Sequence, residues 1–259
     1  LHIPLVKVAS GDLTFAPMLV EAGLSNLPVI LSTGMANIPE IEQSLKFIAF
    51  GFAKANGIIG ADAYPSAAEL DLYWDDPRVQ QIMKQKCTIL HCTTQYPAEL
   101  DILNLKAIKL IADKFGLPVG YSDHSAGILA STVAVALGAT VIEKHFTLNR
   151  SGGGPDDSFS LQPADLVALC RDSQIAWKAS GATAEPSHLA LEGYLNARVF
   201  AEALQRAGRN PTRAAFIDAT WALKKWDLGG FEINASTPER NASRFVELTL
   251  IGRDGRFLR

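Results

Sequence analysis

Cysteine is scarce in this chain, and its three copies, Cys87, Cys92 and Cys170, make no disulfide framework. Cys87 and Cys92 stand five residues apart on one predicted strand, so their side chains point to opposite faces and cannot pair. That usage suits a reducing compartment, and a cytoplasmic location is expected. Long hydrophobic runs are missing too: none approaches the roughly 18 residues of a membrane span. The opening LHIPLVKVAS lacks the charged start and apolar middle of a signal peptide. Because Leu1 falls inside what reads as a strand, the true start is expected to lie upstream. There is no excess of one charge either, and a net charge of −3 offers no basic footprint for nucleic acid.

What is present is enough for a sizeable core. Of 259 residues 48% are hydrophobic and 20% charged, which excludes a mainly disordered protein. The charge is unevenly placed. Residues 1–186 carry ten Lys and three Arg against nineteen acids, whereas residues 187–259 carry two Lys and nine Arg against eight acids. The net charge therefore passes from −6 to +3 and the lysine preference inverts at one point. Two pieces of separate origin would explain the reversal; a basic patch on a native second domain is the alternative.

Five short apolar runs, LVKVAS, LPVILSTG, CTILHCT, PVGYSDH and ATVIEKHF, alternate with helical stretches between residues 5 and 146. This is the rhythm of βα units around a parallel sheet. Helices are predicted over residues 39–52, 104–115, 126–137 and 163–179, with residues 53–76 a decorated loop holding one short helix. The second and third of these are followed by a glycine, as helix ends often are. Five units are too few to close an eight-stranded barrel, so a partial (β/α)8 barrel lacking its first strands is expected over residues 1–182. GATAEPS has linker composition and marks a junction at 183–187. Beyond it a small α+β tail is predicted over 188–259, with helices at about 189–207 and 211–226 and strands around FEIN, FVELTLIG and RFLR. The RDG between the last two supports a hairpin turn.

The most informative spacing is VGYSDH followed, twenty-one residues after His124, by the His145 of VIEKHF. Each histidine closes an apolar run, so both imidazoles are expected at the carboxyl ends of neighbouring strands, where barrels of this class keep their chemistry. Two such imidazoles can hold a divalent metal through neutral nitrogens. A hydrogen-bonded core histidine is the simpler reading of either one alone. The acid, lysine and hydroxyl residues beside them, in SDHS and EKHFT, are costly to bury without a ligand. Lys7, Ser10, Ser32, Thr33, Thr93, Thr94 and Tyr96 lie at the other strand ends and suit an oxygen-rich anion such as a phosphate or carboxylate. Ser32 and Thr33 could equally be helix caps. Cys92, with no base in view, reads as a small buried hydrophobe. GGGPDDSFSL lacks the strand-loop-helix placement of a phosphate loop, and Asp156 within it reads better as an acceptor for substrate hydroxyls.

KVASGD, LSTGMA with EIE, LHCTTQYP, VGYSDHSAG, VALGA, VIEKHFTL and GPD before SL occur in the order expected of the sialic acid synthase (N-acetylneuraminate synthase) family, and residues 5–180 resemble it. The resemblance implies a barrel that condenses phosphoenolpyruvate with an N-acylated hexosamine, such as N-acetylmannosamine, giving a nine-carbon 2-keto sugar acid and phosphate. By motif, Lys7, Ser10, Ser32, Thr94, Tyr96 and Ser122 would contact phosphoenolpyruvate, and Asp12 and Asp156 the amino sugar. Lys7, Asp12 and Tyr96 are the residues expected in catalysis. His124 and His145 would hold Mn²⁺, with Mg²⁺ or Co²⁺ as alternatives. A homo-oligomer is also implied, since relatives complete the sugar site from a dimeric partner.

The chain departs from the family pattern in several places. About three opening strands that contribute an acid and a lysine are expected to be missing. The usual GPDH reads GPDD, with Asp157 in place of histidine, and Thr94 stands where some relatives have asparagine. Residues 188–259 instead resemble the C-terminal end of type I periplasmic substrate-binding proteins of the branched-chain amino acid class. A solute-binding fragment, or a fusion of two gene fragments without function of its own, are therefore the competing expectations for the whole chain.

Overall fold

The computed structural model describes residues 5–60 and 65–181, together with 202–203, 205–208, 212–224, 226–227, 232–235, 250–251 and 257–258. The chain divides into two compact units, Leu1–Glu185 and Pro186–Arg259. Among the described residues no helix is long and apolar enough to cross a membrane.

The first unit is built on five parallel strands, β1 (Val6–Val8), β2 (Val29–Ser32), β3 (Cys87–Cys92), β4 (Val119–Asp123) and β5 (Ile142–Lys144), hydrogen-bonded in that order. The central strands are short runs rich in β-branched and aliphatic residues, and Val29, Leu31, Ile89 and Leu90 are fully buried, as a parallel sheet covered by helices requires. The sheet is strongly curled. Laid flat, its outer strands would lie about 19 Å apart, yet Lys7 on β1 and Glu143 on β5 meet across the concave side at 3.3 Å. Five strands with that curvature form the half-barrel expected from the sequence.

Helices α1 (Ala16–Leu24), α2 (Ile38–Ala55), α3 (Ala67–Trp74), α4 (Pro77–Lys86), α5 (Ala107–Phe115), α6 (Leu129–Ala136) and α7 (Pro163–Ala179) cover the outside. Local chemistry places their ends. Asn37 accepts from the Glu40 amide at 3.0 Å while the Glu40 carboxylate accepts from the Asn37 amide at 2.8 Å, so a capping box starts α2. Ser32 and Thr33 are therefore not its caps. Gly116, at φ 62°, ends α5 in the left-handed conformation. Helix α4 falls just past the stretch read as loop; Asp76 caps it through the Arg78 amide at 2.8 Å and Pro77 opens it. Both α5 and α6 begin about three residues later than the sequence pattern suggested. Helices α1 and α2 cross at a pair of glycines, where a Cβ on Gly51 would meet the Val20 carbonyl oxygen at 2.3 Å and the Gly23 Cα at 2.8 Å.

In the second unit a helix spans Arg213–Trp221, capped by Thr212, whose hydroxyl accepts from the Ala215 amide at 3.1 Å. Trp226–Asp227 pairs antiparallel with Glu232–Ile233, and Leu250–Ile251 with Phe257–Leu258, the pairing a hairpin across RDG requires. The junction at 183–187, the RDG turn itself, most of the expected helix at 189–207 and most of FVELTLIG lie outside the described residues.

Candidate active site

The strand ends bring the candidate residues to one rim. His124 follows the last residue of β4 and His145 the last of β5, with ring centroids 5.4 Å apart at 61°. Tyr96, from the loop after β3, lies against His124 at 4.0 Å and edge-on to His145 at 5.7 Å. Phe159 closes the far side of His145 at 5.4 Å.

Each imidazole presents Nδ1 to an oxygen. His124 Nδ1 is 2.8 Å from the Thr93 carbonyl, which only accepts, so Nδ1 carries the proton and Nε2 keeps its lone pair. His145 Nδ1 stands 3.5 Å from Asp156 Oδ2, a looser ionic contact. A carbonyl on Nδ1, as His124 has, is the outer support that metal-ligating histidines use. Burial lowers the pKa of His145 against the opposing pull of Asp156. Burial also works against the charged form of His124, but the Cys92 thiol and the Thr93 carbonyl outweigh it and its pKa is raised. Among the described residues no group of three or more His, Cys, Asp and Glu is placed to hold an ion, so the two histidines would act as a pair.

Beside the histidines lies a ring of hydroxyls around Gly34. The Gly34 amide donates to Ser10 Oγ at 2.9 Å. A Cβ on Gly34 would lie 2.3 Å from Thr94 Oγ1, 2.9 Å from Ser10 Oγ and 3.1 Å from Cys92 Sγ, so three side chains from two strand ends converge on this backbone. Among the described residues Ser32 Oγ is buried with no hydrogen-bond partner. Ser122 donates to Glu143 Oε1 at 2.8 Å, and the other carboxylate oxygen of Glu143 receives Lys7. An open cavity of about 720 Å³ adjoins Tyr96, lined among others by Gln95, Glu99, Leu100 and Asp101.

Most sequence-predicted residues thus gather: Lys7, Ser10, Ser32, Thr94, Tyr96, Ser122, His124, His145 and Asp156. Asp12 lies exposed on the short 3-10 turn Ser10–Asp12. Thr33 does not face the rim; its hydroxyl donates to the Leu90 carbonyl at 2.9 Å and is part of the core. Asp123, Ser125 and Lys144 need no ligand to satisfy them, because they satisfy one another. Cys92 does have an imidazole beside it: burial works against its thiolate, but the protonated Nδ1 of His124 at 3.8 Å favours it, and the pKa is lowered. Glu143 is the residue the sequence reading passed over. Two-residue periodicity carried the signal, since Glu143 and His145 share a face of β5 while Lys144 takes the other.

A polar cluster with paired imidazoles at the carboxyl ends of curled parallel strands stands where proteins of the α/β-barrel class keep their active sites. The chain belongs to the NeuB family, whose model matches residues 1–185. It is 41% identical over 181 residues to an N,N'-diacetyllegionaminic acid synthase from Campylobacter jejuni, covering 70% of this chain and 46% of that protein. It is 37% identical over 145 residues to the N-acetylneuraminate-9-phosphate synthase of Mus musculus, covering 52% of this chain and 40% of that one. The chain thus spans under half the length of these relatives. Among solved structures, an N-acetylneuraminic acid (sialic acid) synthetase from Leptospira borgpetersenii in complex with citrate superposes with a TM-score of 0.55 at 30% identity, over 76% of this chain and 58% of that one. The family match ends at residue 185.

Proposed function

We propose that residues 1–182 carry the site of a sugar-acid synthase that joins phosphoenolpyruvate to an N-acylated hexosamine such as N-acetylmannosamine. The observation that carries this reading is the convergence of Lys7, Ser10, Ser32, Thr94 and Ser122 from the strand ends onto one rim beside two imidazoles oriented through Nδ1. Lys7 and the hydroxyls bind the phosphate and carboxylate of phosphoenolpyruvate, and a ligand oxygen would accept the hydrogen bond that Ser32 does not make among the described residues. Tyr96, against both histidines, contacts phosphoenolpyruvate, and Asp156 accepts from the sugar hydroxyls. Asp12, exposed on its turn, is the sugar contact that must move inward.

His124 and His145 would together hold a divalent ion, Mn²⁺ first and Mg²⁺ or Co²⁺ as alternatives, through the ring nitrogens left free by their Nδ1 contacts. When bound, such an ion polarises the open-chain aldehyde of the sugar and orients water. The methylene carbon of phosphoenolpyruvate forms the new bond to the aldehyde carbon, whose oxygen takes a proton. Water adds to the enol carbon and phosphate leaves, so the product is a 2-keto acid. Glu143, between Lys7 and Ser122, keeps the anion-binding groups in place until substrate arrives.

The test is Mn²⁺-dependent phosphate release from phosphoenolpyruvate with N-acetylmannosamine, comparing the chain with a His124→Ala, His145→Ala double variant. Release that needs the sugar and both histidines is expected. No release from a folded sample, or release that the double variant retains, overturns the reading.

A further inference from the structure

Behind the histidines, on the opposite face of the strands, lies a buried polar network that takes no part in the site just described. Asp123 and Lys144 are register partners on β4 and β5, and each immediately precedes one of the two histidines. Their side chains, 0% and 5% exposed, meet at 2.9 Å. Asp123 Oδ1 accepts from the amide and the hydroxyl of Ser125, at 2.8 and 2.7 Å, and Oδ2 accepts from Ser131 of α6 at 2.5 Å. Lys144 Nζ donates to the Ser125 carbonyl as well. Both residues that flank His124 are therefore tied to the residue that precedes His145.

We propose that the Asp123–Lys144 pair, with Ser125 and Ser131, is a positioning device that sets the spacing and orientation of the His124 and His145 rings. Successive residues of a strand point to opposite faces, so a clamp on positions 123 and 144 fixes the backbone from which both imidazoles project without entering the site. A buried ion pair adds little net stability over apolar residues of the same volume. What it adds is direction: the two carboxylate oxygens and the ammonium are satisfied in one arrangement of β4, β5 and α6. The spacing held in this way is the one a shared ligand needs, and in that respect the inference rests on the proposed function.

The test reads the imidazoles without any metal. In metal-free full chain labelled with ¹⁵N-histidine, long-range ¹H–¹⁵N spectra are expected to show one sharp signal set each for His124 and His145. Lys144→Met should broaden both at least twofold or double them, and be rescued by Lys144→Arg. Ile108→Ala, a core substitution in α5, controls for loss of stability alone. If Lys144→Met unfolds the chain, Ser131→Ala removes one contact to Asp123 and should broaden the His124 signals. Sharp, unshifted signals in a folded variant, or equal broadening by Ile108→Ala, overturn the proposal. Added Mn²⁺ forms a separate arm: failure to bleach the two signals in the unaltered chain counts against the metal reading and leaves the clamp standing.

Discussion

Lys7 Nζ lies 3.3 Å from Glu143 Oε2, although the two residues sit on the first and last strands of the five-stranded sheet. Glu143 also accepts from Ser122, so one carboxylate links β1 to β4 and β5 across the concave face. At 29% and 43% exposure of the two side chains, the pair is screened by solvent.

Lys7→Met tests whether the pair serves ligand binding or the fold. An exposed pair of this kind is worth under about 1 kcal/mol, so denaturant unfolding should change little. Phosphoenolpyruvate affinity, measured by calorimetry, should fall at least tenfold. A large loss of stability with unchanged affinity would make the pair structural.

Gly34→Ala places a Cβ where Ser10, Thr94 and Cys92 converge. The overpacking should cost about 1–3 kcal/mol in unfolding. Anion binding should be lost in the same variant, because the three side chains have to move apart. Retention of full affinity would show that the hydroxyl ring does not contact the ligand.

Gly51→Ala acts far from the site, where α2 meets α1. Alanine gains about 1 kcal/mol in helix propensity. The new Cβ, however, meets backbone atoms at 2.3 and 2.8 Å that cannot turn aside. A net loss of about 2 kcal/mol or more is expected from the forced separation of the helices. Thermal unfolding checks it, and an unchanged midpoint would contradict the close crossing.

Burial pushes the Cys87 thiol up to about 12. The unfolded chain ionises this thiol near pH 8.5 and the folded chain does not, so its contribution to stability is complete below that pH and is lost as pH rises through the window. By pH 10 the unaltered chain should lose about 1–2 kcal/mol more than Cys87→Ala does. Equal pH profiles in denaturant titrations would contradict the burial. Native labelling by thiol reagents should likewise leave Cys87 untouched while half-buried Cys170 reacts.

Much of the fold was legible because its signals are local. Each apolar run bounded by Gly, Pro or polar residues became a strand, and His124 and His145 stand at strand ends as their place in the runs implied. Helix α4 was less legible because PRVQQIMKQK is mostly polar, and only Val79 and Met83 are fully buried. Glu143 was within reach, since alternation from His145 puts it on the site face; the Asp123–Lys144 pair was not, because alternation does not give the cross-strand register that sets them side by side. Thr33 was misplaced: it adjoins Ser32 and turns to the Leu90 carbonyl instead.

By itself the sequence determined the order of the five strands, the residues that end them, and the family to which residues 1–185 belong, since periodicity and motif spacing are written along the chain. Only the tertiary structure decided the partners. The curl of the sheet brings Lys7 to Glu143, and the β4–β5 register sets Asp123 against Lys144. Which way each side chain points is settled in the packed sheet, since β4 and β5 carry polar residues on both faces, Ser122 and Glu143 on one and Asp123 and Lys144 on the other, and local pattern does not tell the faces apart.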